Sequence, residues 1–178
     1  MSDQEKEMIE AVRQGREHGY DYFLARYSQE IVRLLVQMTG NPLDAEELAQ
    51  DTFVKAFRHI GSYDSARSSL ATWLRRIAWN TALNHLKRRH LPTISLDDED
   101  TLWHEAENDL PEQVELEQLD RAIDKLRPKE RSLIQLYYYD ELPLQEIAYI
   151  MDSTPLALAN RLMRIRRKLY NLIKEEKR

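Results

Sequence analysis

The sequence predicts an all-α protein of two small helical domains joined by an acidic linker, and three observations carry that prediction. Glycine is scarce: the 178 residues contain 4, none beyond Gly61, together with 6 prolines. That leaves little of the punctuation a β-sandwich or a glycine-rich phosphate loop requires. Apolar residues recur at helical spacing, and the prolines stand at the edges of those stretches, where they start or stop helices. Charge is also segregated. Eleven acids, from Asp97 to Asp120, occupy a stretch that has no Lys or Arg between Leu91 and Asp120, so the net charge of −5 divides into −11 there and +6 elsewhere.

Composition narrows the function classes. With 42% hydrophobic residues the chain is too apolar to be wholly disordered. The absence of cysteine excludes a disulfide framework, a thiolate zinc site and a cysteine nucleophile. Asp3, Glu5 and Glu7 make the start acidic where a secretory signal would be basic and then apolar. Apolar runs are of the Leu34-Leu35-Val36 kind, far short of a membrane span. The expectation is a soluble, cytoplasmic protein with no membrane insertion.

The connector carries Pro92, Pro111 and the acidic run 97–100, a composition that does not pack as a core. It marks a boundary and divides the chain into 1–91, 92–115 and 116–178. On either side lie acid-free basic stretches. One holds Arg67, Arg75, Arg76, Lys87, Arg88 and Arg89; the other holds Arg161, Arg164, Arg166, Arg167, Lys168 and Lys174. A single such run is usually a solvated face. Two runs flanking a polyanion point to nucleic acid held at two places, with the connector repelled from it. In the free chain the connector is expected to fold back on the basic faces and weaken DNA binding.

In the first unit, Pro42 opens a helix with Asp44, Glu46 and Glu47 in its first turn, where carboxylates favour the positive end of the dipole. Ala49, Phe53, Ala56 and Ile60 share its inner face; Glu47, Asp51, Val54 and Arg58 lie opposite. Taken alone, that outer face is most simply solvated, though the like charges of Glu47 and Asp51 at i,i+4 favour an outside cation. After a polar loop at 61–69, a second helix spans about 70–89, with Leu70, Leu74, Ile77 and Thr81 inward. A second ridge carries Trp73, Arg76, Asn80, Asn84 and Lys87, an indole, two amides and two cations, which suits base stacking, edge readout and phosphate contact. The same ridge also reads as a core Trp73 beside solvated polar groups.

In the second unit, Leu116, Leu119, Ile123 and Leu126 line a helix that stops at Pro128, and a further helix is predicted over 129–139. Pro143 opens a short helix with Ile147, Ala148 and Met151 inward. A break at 152–154 follows, and Pro155 starts a long last helix with the seam Leu158, Leu162, Ile165, Leu169 and Leu172. Asn160, Arg164 and Arg167 point the other way, with Leu156 and Met163 among them. This is the plan of a helix-turn-helix, whose second helix enters the major groove; a plain helical hairpin is the alternative.

At this point the residues resemble a known family. The stretch Asp44-Ala-Glu-Glu-Leu-Ala-Gln-Asp-Thr-Phe-Val-Lys-Ala-Phe57 resembles the conserved-region-two helix of extracytoplasmic-function sigma factors, which holds the clamp helices of RNA polymerase. Thr72-Trp-Leu-Arg-Arg-Ile-Ala-Trp-Asn80 resembles the following segment, which melts and reads the minus-ten promoter element, and 142–169 is similar to the region-four helix-turn-helix that reads the minus-thirty-five element. The resemblance implies that Asp44, Glu47, Leu48, Asp51, Val54 and Phe57 lie at or near a contact with core RNA polymerase. It implies that the loop at 61–69, with Ser62, captures a flipped base of locally melted promoter DNA, beside Trp73, Arg76, Asn80, Asn84, Lys87 and Arg88. For double-stranded DNA at minus thirty-five it implies Leu156, Asn160, Arg161, Arg164 and Arg167. It further implies an acidic linker threading toward the RNA exit path, an anti-sigma factor as partner, and no cofactor, metal or small-molecule substrate.

The chain departs from the family pattern in places. Asp152 stands in the turn where glycine is usual, and Ala157 and Ala159 stand where Thr and Lys are common. Asn160, Arg161 and Arg164 are therefore expected to carry more of the binding. Two other classes compete. A stand-alone helix-turn-helix regulator needs a sensing module that 20–90 does not offer, and it need not bind core polymerase; a helical protein-binding adaptor would be supported by a neutralising change at Arg164 that left DNA binding intact. An enzyme is disfavoured, because no phosphate loop, serine-nucleophile elbow or zinc-protease motif occurs, and no histidine has a Glu three residues before it.

Overall fold

The computed structural model describes residues 2–88 and 116–176. The linker read at 92–115, and the fold-back expected of it, lie outside the described residues. Among the described residues every regular element is helical.

In the first unit, α1 (Asp3–Arg13) starts at Ser2, whose Oγ accepts the Glu5 N–H at 3.1 Å. The central helix α2 (Glu17–Thr39) buries Phe23, Tyr27, Ile31, Leu34, Leu35 and Met38. It crosses α1 so closely that a Cβ on Gly19 would lie 2.8 Å from the Val12 nitrogen, so only glycine permits this approach. Tyr27 ties the pair further by donating its hydroxyl to Glu5 Oε1 at 2.7 Å. Gly40, at φ 67°, ends α2 in the left-handed conformation. Asn41 then caps α3 (Pro42–Arg58), its Oδ1 accepting the Leu43 N–H at 3.0 Å with Pro42 at the first helical position.

The inner face of α3 is the one its sequence pattern assigns: Ala49, Phe53 and Ala56 are buried, and Ile60, expected on the same face, is buried just past the helix end. A 3-10 turn (Ile60–Ser62) leads into the polar loop, which is anchored by a buried Tyr63 whose hydroxyl donates to the Ser68 carbonyl at 3.2 Å. The last helix of this unit, α4 (Leu70–Arg88), buries Leu70, Leu74, Ala78, Trp79, Ala82 and Leu86. Its flanks pack on both α2 and α3.

The second unit begins with α5 (Leu116–Asp124) and α6 (Pro128–Ile134). The helix predicted over 129–139 does not stay α-helical. From Gln135 to Tyr139 it widens into a π-helical turn, with the Asp140 N–H donating to the Gln135 carbonyl at 2.9 Å. The turn packs on α2 and α7, the segment buries Leu133, Ile134, Gln135 and Leu136 in succession, and Gln135 Nε2 donates to Asp140 Oδ1 at 3.0 Å. Pro143 serves as the N-cap of α7 (Leu144–Met151) rather than its first residue. Asp152 ends α7 at φ 53°, the left-handed turn that an Asp tolerates in place of glycine. In α8 (Pro155–Glu176) the seam Leu158, Leu162, Ile165 and Leu169 is buried, and its last place is shared by a half-buried Leu172 and a fully buried Ile173.

The two units are packed together. α6 lies on α2 and α7 lies on α4. Arg131 joins the first contact: Nη2 donates to the Gln37 carbonyl at 3.3 Å while Nη1 donates to the Leu126 carbonyl at 2.9 Å. Arg33 Nη1 reaches Asp140 at 3.5 Å across the same seam.

Candidate nucleic-acid interface

On α3 the outward ridge carries Glu47 and Asp51, both exposed, with Val54 at 45%. Leu43, which the sequence reading did not select, joins them at 76% exposure. A carboxylate ridge bordered by exposed apolar side chains suits a cationic protein partner better than plain solvent. Other residues expected at this contact sit elsewhere. Leu48 is buried, and Phe57 is half-buried with its ring edge-on to Tyr20 at 4.7 Å and to Phe23 at 5.8 Å. They hold α3 in place rather than form its outer surface. Asp44 is half-buried, 3.9 Å from His85 Nε2.

The ridge on α4 divides into two parts. Asn80, Asn84, Lys87 and Arg88 are exposed in a row along the helix's C-terminal half. Trp73 is 8% exposed and tilts against Tyr63 with ring centroids 5.4 Å apart, so it forms a wall between helix and loop. Burial raises the pKa of the Tyr63 hydroxyl, with nearby Glu5 and Asp64 pushing the same way. Ser62 is exposed at the loop's edge, its Oγ donating to the His59 carbonyl at 2.7 Å. Arg76 does not face open solvent. Its Nη1 donates to the Tyr149 carbonyl at 2.7 Å, Nη2 lies 3.3 Å from Asp152 Oδ1, and the guanidinium sits 4.4 Å from the Tyr149 ring centroid.

One cation of the acid-free stretch has a role that the sequence reading did not assign. Arg75, adjacent to Arg76 in the acid-free stretch, is buried and donates to Glu30 Oε2 at 2.8 Å. Its partner lies 45 residues away, beyond the reach of any local pattern. Arg75 is thus a strut between α2 and α4, while Arg76 is half-buried and bonded to α7, although they look alike in sequence.

On α8, Leu156 is 73% exposed and Arg167 is exposed, while Asn160, Arg161 and Arg164 are half-buried on the same side. Met163 stands exposed among them. Other cations of this stretch serve the fold: Lys168 donates to Glu130 Oε2 at 2.7 Å and Arg166 Nε donates to the Tyr138 hydroxyl at 2.6 Å. Lys129, at the start of α6, lies in the field of one cation from each unit. Burial lowers its pKa, and the charges of Arg161 from α8 and Lys87 from α4 lower it further.

Among the described residues no three His, Asp or Glu side chains gather to hold a metal, and no helix is long and apolar enough to cross a membrane. α4 thus carries an exposed ridge of amides and cations, and α8 a second cationic face, groups of the kind that hydrogen-bond phosphate and base edges.

Residues 23–91 match the Sigma-70 region 2 family and residues 116–169 match Sigma-70, region 4. The chain is 32% identical to the ECF RNA polymerase sigma factor SigW of Bacillus subtilis, over 96% of this chain and 97% of that one. It is 31% identical to the ECF RNA polymerase sigma-E factor of Haemophilus influenzae, over 93% of each. Among solved structures, CnrH in complex with the cytosolic domain of CnrY aligns with a TM-score of 0.67 at 18% identity, over 97% of this chain and 99% of that one. The sigma factor RpoE in complex with the anti-sigma factor NepR, from Bartonella quintana, aligns with a TM-score of 0.64 at 23% identity, over 87% and 96%. These two share the fold.

Proposed function

The chain belongs to the extracytoplasmic-function sigma factors, subunits that direct RNA polymerase in transcription initiation, and from that premise we propose how its surfaces divide the work. Residues 1–91 dock on core polymerase through Glu47, Asp51, Val54 and Leu43 of α3, with Asp44, Leu48 and Phe57 setting that helix's position. The same unit reads and melts the minus-ten element. Asn80, Asn84, Lys87 and Arg88 hold the phosphate track and base edges, and Ser62, Trp73 and Arg76 border the pocket for a flipped base. Unstacking a base costs a few kcal/mol, roughly, and contacts of this kind offset it. Residues 116–178 place α8 in the major groove at minus thirty-five through Leu156, Asn160, Arg161, Arg164 and Arg167, and residues 92–115 form the linker.

The family is not known for enzymatic activity, and the division proposed needs none: no catalysis, cofactor or small-molecule substrate enters it. The partners are core RNA polymerase, double-stranded and locally melted promoter DNA, and an anti-sigma factor of the kind held by the Bartonella quintana protein. The place of action is the cytoplasm, where polymerase and DNA are.

The observation that supports this reading most is the outward turn of Glu47 and Asp51 on a helix whose opposite face is fully core. Run-off transcription with purified core enzyme tests it, comparing the wild type with Asp51→Arg. Because Asp51 is exposed, the variant keeps its fold, while core binding falls by about tenfold or more from the reversed charge. Unchanged core binding by that variant removes α3 from the polymerase contact.

A further inference from the structure

The region 2 match begins at residue 23, so α1 lies outside it, and no share of the division of work falls to that helix. Its place in the fold gives it one. Ile9, Ala11 and Val12 of α1 are buried, and the helix packs on α2 at the close approach that Gly19 permits. α1 also packs on the 3-10 turn Ile60–Ser62, the turn that leads into the loop at 61–69. Glu5, half-buried on α1, stands between the two. It accepts the hydroxyl of Tyr27, a buried residue of α2 that lies 22 positions away, at 2.7 Å. After burial, the charge that raises the Tyr63 pKa most is that of Glu5, so the same carboxylate lies near the loop's buried anchor.

Within the loop the hydrogen bonds are local. Ser62 Oγ donates to the His59 carbonyl at 2.7 Å, the Ala66 N–H to Asp64 Oδ1 at 2.9 Å and the Tyr63 hydroxyl to the Ser68 carbonyl at 3.2 Å. Such bonds set the loop's shape but not its position on the bundle. Position comes from its neighbours: the Trp73 ring of α4, 5.4 Å from that of Tyr63, the end of α3, and α1.

We propose that α1 is part of the frame of the base pocket, and that Glu5 is a positioning residue which, through its hydrogen bond to Tyr27, fixes α1 against the turn Ile60–Ser62 and so holds Ser62 and Tyr63 at the distance from Trp73 that a flipped base requires. Glu5 touches no DNA in this arrangement. It acts on how well the pocket discriminates among bases, not on whether polymerase is bound, because the outer ridge of α3 is backed by a different part of the core. The proposal rests on the reading of the loop at 61–69 as the one that captures a flipped base.

The test uses holoenzyme assembled from core polymerase and the full chain. The probe is a pool of promoter fragments premelted at minus ten, with the melted non-template bases and the duplex minus-thirty-five bases both randomised, and the bound fragments are sequenced. The wild type should favour one base at one melted position. Glu5→Ala should lower that preference by about three- to tenfold, with core binding and the minus-thirty-five preference unchanged. Tyr27→Phe removes the same hydrogen bond from its other end at almost constant volume and should reproduce the loss. Glu5→Gln keeps an acceptor for Tyr27 and should retain the wild-type preference. A preference among bound fragments is carried by folded protein alone, so a mere loss of stability would reduce the amount bound and leave the preference intact.

A melted-base preference that survives in Glu5→Ala and Tyr27→Phe overturns the role of α1. So does a Glu5→Gln variant as impaired as Glu5→Ala, or an equal loss of preference at minus thirty-five, which would make the effect global. A wild type that favours no base at any melted position instead removes the reading of the loop itself, and the frame with it.

Discussion

Each unit carries a cationic face, on α4 in the first and on α8 in the second, yet the two are built differently. The first presents its faces on long helices whose opposite sides enter one large core, so that α3 and α4 are held by Phe23, Phe53, Leu74 and Trp79 behind them. The second presents its face on a helix positioned by a short neighbour, a left-handed Asp152 and a π-helical turn. Part of its packing surface lies on the other unit, through α6 on α2 and α7 on α4. A face backed by a core keeps its shape when separated. A face backed by turns is adjustable, and its stability depends in part on where it is docked.

Core truncations should expose this difference most strongly. Trp79→Ala is expected to cost the first unit about 3–5 kcal/mol and to abolish core-polymerase binding. Leu158→Ala, at a similarly buried site in the second unit, is expected to cost about 2–5 kcal/mol and to leave polymerase binding in place. Urea unfolding followed by two probes, one in each unit, checks both. A single shared transition in both variants would erase the distinction between the units.

Next in size are the phosphate contacts proposed for the second unit. Arg167→Gln should weaken holoenzyme binding to duplex promoter DNA and lower the slope of log affinity against log salt by about 1. Arg166→Gln, whose guanidinium is engaged with Tyr138, should change that slope much less. Equal slopes for the two variants would show that sequence proximity, not the fold, assigns their roles.

Smaller effects refine the picture of the turns. Asp152→Gly should stabilise the second unit by about 0.5–1 kcal/mol by removing a left-handed non-glycine residue, measured by thermal unfolding. Lys129→Gln should stabilise by about 0.3–1 kcal/mol, because a cation in the first turn of α6 opposes the helix dipole. Its lowered pKa carries a sign that can be tested. The folded state binds this proton less tightly than the unfolded one, so wild-type stability should rise as pH climbs toward the ordinary lysine value of 10.5. The variant should lose that rise.

Much of this organisation is legible along the chain. The inner and outer faces of α3 follow from a 3.6-residue period, as does the seam of α8, and Asp152 takes up the left-handed conformation that a short polar side chain tolerates. The first two helices have no such clear stripe read from them, although Gly19 and Gly40 mark where α2 meets α1 and where it ends. Arg75 and Arg76 show the limit of local pattern: neighbours of identical type, one paired to Glu30 in the core and the other held by α7. The same limit applies to Leu48 and Phe57, which match a motif yet turn inward.

Periodicity and punctuation by proline determine which segments are helices and which faces are apolar, because each depends on residues within a turn or two of one another. The identity of the strut among the arginines and the occupation of Arg76 by Tyr149 and Asp152 depend on groups brought together from 45 to 76 positions apart. Such meetings are decided by packing, which weighs every surface of a helix at once, and no window along the chain contains that information.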